Sequence, residues 1–109
     1  MTYFPRLFTP AKLRGHTLRN RIVFGAHTAN MAENGLPGPR HVGYYAERAM
    51  GGAAMVVVEP MPVHAAAVLT RGNFRHGDDA VIPHFRKVTE AIKGHGAVAI
   101  QQLYHVGQH

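Results

Sequence analysis

In this 109-residue sequence Thr28, Glu59, Gln101 and Gln102 stand at or just past the ends of apolar runs, where a polar side chain can serve a ligand. A threonine hydroxyl can donate to a ligand edge, and it serves equally well as a loop cap. Glu59 closes an apolar run. It is either a carboxylate that supports a pocket or a strand-end charge paired with a Lys or Arg. A glutamine amide sets a donor beside an acceptor, which suits a ligand edge of the same pattern. Neighbouring strand positions point to opposite faces, so Gln101 and Gln102 cannot both face inward. Nine histidines raise the question of a metal. His105 and His109 are spaced as a helical ligand pair would be, yet they follow a strand. His16, His41, His76, His84 and His95 fall on predicted loops or helix ends, where surface positions are expected. No metal site is expected. The absence of cysteine excludes thiolate ligands, thiol nucleophiles and disulfides together.

Composition narrows the rest. Hydrophobic residues make up 46% of the chain, enough for a core. Lys plus Arg number 12 against 6 for Asp plus Glu, a formal charge of +6. The basic residues are scattered with no run beyond two, so nucleic-acid binding is not expected. The opening residues carry no apolar signal core, and the longest strongly apolar stretch, Ala53 to Val58, is far below the ~20 residues that span a bilayer. The expectation is a cytoplasmic protein without a membrane partner.

Three segments read as strands: 21–26, 53–59 and 97–103. The first two are continuous apolar runs, the pattern of parallel strands covered on both faces. Helices are predicted over about 40–50, with Val42, Tyr45, Ala46 and Ala49 on one stripe, and after the capping pair Asp78-Asp79, with Val81, Phe85, Val88 and Ile92 on one face. Gly51-Gly52 and Gly94-His95-Gly96 end them. The order β-α-β-α-β predicts a parallel α/β fold. Two long loops, 28–39 and 60–77, leave the carboxyl ends of strands, where such folds bind ligands. No helix follows the third strand to cover it, so the sequence reads as cut off. Its unpaired edge should favour self-association, with a homo-oligomer as one outcome.

Four stretches in register carry a family resemblance. Leu7-Phe8-Thr9-Pro10 with Leu18-Arg19-Asn20-Arg21-Ile22-Val23 resembles the entry of the old yellow enzyme family, the NADH:flavin oxidoreductases that include dienoyl-CoA reductases and trimethylamine dehydrogenase. Tyr44-Tyr45-Ala46-Glu47-Arg48 with Gly51-Gly52, then Val58-Glu59, then Gln102-Leu103-Tyr104-His105-Val106-Gly107 extend the match over essentially the whole chain. The resemblance implies the N-terminal part of a (βα)8 TIM barrel occupying 1–109, with 7–20 as the hairpin at the barrel bottom and 21–103 as strands one to three with two helices. It implies FMN as cofactor and NADH or NADPH as reductant.

The resemblance also implies the site. Ala26, His27 and Thr28 stand where the end of the first strand packs on the flavin, and the Thr28 hydroxyl could meet its O4–N5 edge. Relatives of the trimethylamine dehydrogenase type have a cysteine there that bonds FMN; Thr28 cannot, so FMN should be non-covalent. Gln102 matches the glutamine that reads the flavin pyrimidine edge. Pro60 replaces a residue whose backbone N–H lies near the flavin, and it has no N–H to offer. Gln108 replaces a frequent arginine. The catalytic His or Asn pair would lie beyond residue 109. The implied reaction is NAD(P)H-driven reduction of an activated alkene, such as an enone or enoyl thioester, with this chain inactive alone. Oxidative N-demethylation of an amine and a non-catalytic α/β remnant or binding module remain alternatives.

Overall fold

A computed structural model describes residues 3–107, so the expectations for Gln108 and for the His105–His109 spacing lie outside the described residues. The chain opens with an antiparallel hairpin, β1 (Ala11–Leu13) and β2 (His16–Leu18), turned through Arg14 at φ 53°. A parallel sheet follows in the order β3 (Val23–Phe24), β4 (Met55–Pro62) and β5 (Val98–Tyr104). Helix α1 (Pro39–Met50) connects β3 to β4, and α2 (Ile82–Gly94) connects β4 to β5. The α/β character expected from the sequence is therefore present.

Alternation decides what each face of the sheet meets. Val56, Val58, Ala97 and Ala99 pack with Tyr45, Ala49, Val88 and Ile92 to form the core between sheet and helices. The alternate positions, Met55, Val57, Val98 and Ile100, belong to the other face. The described residues cover only one face, whereas the apolar runs predicted cover on both. Val23, Ile100 and Leu103 remain exposed.

The element boundaries differ from expectation for local reasons. The first strand was predicted over 21–26, but its ladder is confined to Val23–Phe24. Asn20 Oδ1 accepts the Ile22 N–H while its amide donates to Gly52 O, so a side chain occupies part of that backbone. β4 runs past Glu59 to Pro62. The ladder to β5 shifts between Val58 and Met61, and Pro60 sits in that irregularity, where no N–H is required of it. β5 lies one residue later than predicted.

Asp78 caps as predicted, accepting the Ala80 N–H, although what it caps is a 3-10 turn leading into α2. Gly52 at φ 117° and Gly96 at φ 84° make the left-handed turns from each helix into the next strand. The hairpin sits at the amino end of the sheet through Arg19. Its guanidinium donates to Ala49 O and His95 O, where α1 and α2 end, and to Ala53 O in the turn before β4.

The two long loops interlock at the carboxyl end. Ala32 N–H donates to Gly72 O and Arg75 N–H to Gly35 O. A Cβ at Gly72 would lie 2.5 Å from backbone atoms of Asn30, so only glycine permits this approach.

Candidate functional site

β3, β4 and β5 all end on the same side, and this brings together the residues singled out in the sequence. Thr28 lies just past β3, and its exposed hydroxyl forms no hydrogen bond among the described residues. Gln102 lies near the end of β5 on the face away from the helices. Its side chain is exposed and likewise unpaired among the described residues. Pro60 lies between them in the β4 irregularity, half-buried. His27 is different. Its Nε2 lies 3.1 Å from Tyr44 Oη and its ring meets Phe24 edge-on, so the imidazole turns toward α1 while Ala26 and Thr28 are its backbone neighbours.

Gln101 takes the opposite face. Its Nε2 donates to Glu59 O at 2.5 Å, satisfying a carbonyl left free by the strand irregularity. The two adjacent glutamines are thus separated, as strand geometry demands.

The centre of the site is Glu59, whose side chain is 2% exposed. It is not a strand-end charge paired with a cation: among the described residues no Lys or Arg pairs with it. Tyr45 Oη donates to Oε1 at 3.0 Å, and Tyr45 Oη in turn accepts the Glu59 N–H at 2.9 Å. Ala29 N–H donates to Oε2 at 2.9 Å. His41 Nε2 lies 3.3 Å from Oε1 but out of hydrogen-bonding line. Burial pushes the Tyr45 phenol far above its usual range, so it stays a donor.

His41 corrects an expectation. Placed at the surface by its position near a helix start, it is 1% exposed. It stands four residues before Tyr45 and eight before Ala49, on the same stripe of α1, and its ring packs on Phe74 at 5.2 Å. Extending the predicted stripe one turn toward the N-terminus would have found it. Burial pushes its pKa down, and Glu59 partly opposes that. Ala29, by contrast, enters the site through its backbone N–H, which no residue type signals.

Two hollows, of about 780 and 510 Å3, lie along residues 31–42 and 65–78. Neither is lined by Thr28, Pro60 or Gln102, which stand on open sheet. No group of three His, Asp or Glu placed to hold a metal occurs among the described residues, and no described helix is long and apolar enough to cross a membrane.

A parallel α/β unit with free polar groups at the carboxyl ends of its strands belongs to the class that binds ligands on that rim. The family match makes this specific. Residues 6–109 match the NADH:flavin oxidoreductase / NADH oxidase family, and the chain belongs to it. The probable N-methylproline demethylase of Rhizobium meliloti is 37% identical over 107 residues, covering 94% of this chain and 15% of the relative. The old yellow enzyme of Trypanosoma cruzi superposes with a TM-score of 0.88 at 30% identity, covering 97% of this chain and 28% of that one. A 2-naphthoyl-CoA reductase complexed with 2-naphthoyl-CoA gives 0.91 at 28% identity, covering 95% and 16%. The chain therefore spans between 15% and 28% of these proteins. The resemblance to the old yellow enzymes holds for their N-terminal part, and FMN with NADH or NADPH is the cofactor set of the family.

Proposed function

We propose that this chain supplies the hairpin and the first three strands of an FMN-binding (βα)8 barrel. The complete protein then uses NADH or NADPH to reduce an activated alkene, such as an enone or enoyl thioester. One observation carries the reading. Thr28 and Gln102, at the ends of two strands that flank β4, both present hydrogen-bonding groups with no partner among the described residues. That donor and acceptor set fits a flavin edge. The apolar face of Met55, Val57, Val98 and Ile100, half-buried to exposed, fits the inner wall of a larger barrel.

FMN, when bound, supplies the site that accepts and passes on hydride. The residues of this chain hold and orient it. The Gln102 amide would pair with the pyrimidine edge, the Thr28 hydroxyl would donate to the O4–N5 edge, and the 26–28 backbone would lie against the ring. Pro60 contributes shape and no donor. Thr28 forms no covalent link, so FMN is held non-covalently. The groups that anchor and protonate the substrate come from later strands, and this chain alone is inactive. The reading includes a small-molecule substrate, a cytoplasmic setting and no nucleic-acid or membrane partner.

A second reading, oxidative N-demethylation of an amine, draws support from the Rhizobium meliloti relative, named as a probable N-methylproline demethylase. Purified full-length protein decides. Yellow protein whose flavin is reduced by NADH or NADPH and reoxidised by cyclohexenone or an enoyl thioester supports ene reduction. Anaerobic bleaching by an N-methyl amino acid, with no turnover of alkenes, supports demethylation. Colourless protein that cannot be loaded with FMN defeats both.

A further inference from the structure

We propose that Glu59 is a positioning residue for the flavin-reading turn: its buried carboxylate, anchored by Tyr45, holds the Ala29 N–H and so sets where Thr28 stands. The tether follows from the structure, and its consequence for the flavin rests on the FMN reading above.

A carboxylate removed from water without a cation is unfavourable unless strong donors replace the water. Two side chains of α1, which is fixed in the core, stand at Glu59 Oε1: Tyr45 Oη donates at 3.0 Å, and His41 Nε2 lies at 3.3 Å without a hydrogen bond. The third group, the Ala29 N–H on Oε2, comes from the loop after β3, 30 residues away in sequence. The carboxylate is thus a bridge with one end in the core and the other on the backbone next to Thr28. An apolar side chain would fill the same space without the desolvation cost but could not hold that N–H.

His41 takes its hydrogen bond from the start of α1 rather than from Glu59. Gly38 N–H donates to its Nδ1 at 3.0 Å, so the neutral ring carries its proton on Nε2, the nitrogen nearer Glu59. Burial favours that neutral form. The tether also explains why the loop leaves β3 so early: after Phe24 the next link to β4 is not the ladder but this side chain.

Two variants of the full-length protein separate the tether from packing. Glu59→Gln keeps an acceptor oxygen and the volume; Glu59→Leu keeps the volume alone. Hydrogen exchange, read by mass spectrometry on apoprotein, should speed up about tenfold over residues 26–31 in Glu59→Leu and stay near wild type in Glu59→Gln. The ratio of affinities for reduced and oxidised FMN should move severalfold in the Leu variant and little in the Gln variant. A general packing defect would instead lower Tm and leave that ratio unchanged.

Equal exchange in all three proteins overturns the tether. Faster exchange with an unchanged affinity ratio overturns its role toward the flavin. Wild-type protein that takes up no FMN defeats the flavin reading, and the exchange result still decides the tether. If Glu59→Leu does not fold, Tyr45→Phe removes the anchor. Faster exchange over 26–31 then supports the proposal, and unchanged exchange overturns it.

Discussion

The side-chain amide of Gln101 donates to the backbone carbonyl of Glu59 across the irregularity between β4 and β5. This bond fixes which of two adjacent glutamines faces the helices and leaves Gln102 on the open face. The two should respond differently to loss of the amide. Gln102→Leu in FMN-loaded full-length protein should weaken FMN binding about tenfold or more, because two flavin groups lose their partners. Gln101→Leu should cost about 1 kcal/mol of stability, the worth of one hydrogen bond, with a smaller effect on FMN affinity. Titration and chemical denaturation of both variants check this. Reversed effects would place the wrong glutamine at the flavin.

On the proposed reading, the Thr28 hydroxyl donates to the O4–N5 edge, which carries more negative charge in reduced than in oxidised flavin. Hydrogen bonds to charged acceptors are worth about 1.5–3 kcal/mol against about 1 for neutral ones. Thr28→Val should therefore lower the midpoint potential by tens of millivolts, since about 30 mV corresponds to 1.4 kcal/mol for a two-electron couple. Denaturation should release FMN intact from both proteins. A potential equal to wild type in spectroelectrochemistry would leave Thr28 no part in reading the flavin.

The strands and helices were legible because apolar runs and a 3.6-residue stripe report directly on burial. Asp78 was legible as a cap for the same local reason. What escaped was set at long range. The short β3 depends on Asn20 bonding Gly52 and Ile22, and the passage of β4 through Pro60 depends on a register shift with β5. His41 escaped because a polar residue near a helix start reads as surface. Only the partners brought by Glu59, Gly38 and Phe74 make its burial tolerable. The buried carboxylate at the centre of the site was visible as a residue, whereas its neutral surroundings were not.

Arg19 joins the ends of both helices to the hairpin by donating to Ala49 O, Ala53 O and His95 O. Two of these carbonyls, Ala49 and His95, lie at helix C-termini, where a cation is favoured. Arg19 is exposed, so solvent screening reduces its worth. Arg19→Ala should cost about 1–3 kcal/mol, and Arg19→Lys should recover only part because an ammonium cannot span the three carbonyls as a planar fork does. Denaturant midpoints of the three proteins provide the measurement. Full recovery by lysine would mean that charge alone matters there.

His41 should make stability fall as the solution is acidified through the histidine range. Its folded pKa lies below the ordinary value of 6.5, chiefly because burial disfavours the imidazolium. Above pH 6.5 both folded and unfolded chains hold it neutral, and it adds no slope. Below that value the unfolded state takes up a proton that the folded state refuses, so unfolding gains with each step of acidification. The slope from this one group is at most about 1.4 kcal/mol per pH unit, and it ends once the pH drops below the folded pKa. Glu59 opposes the depression by its charge, so Glu59→Gln should lower the His41 pKa further and carry the slope to lower pH. His41→Gln should abolish this part of the pH dependence. Denaturation of the three full-length proteins between about pH 5 and 8 tests the sign, and NMR titration of the His41 ring tests the cause. A slope that survives unchanged in His41→Gln would assign the effect to another histidine.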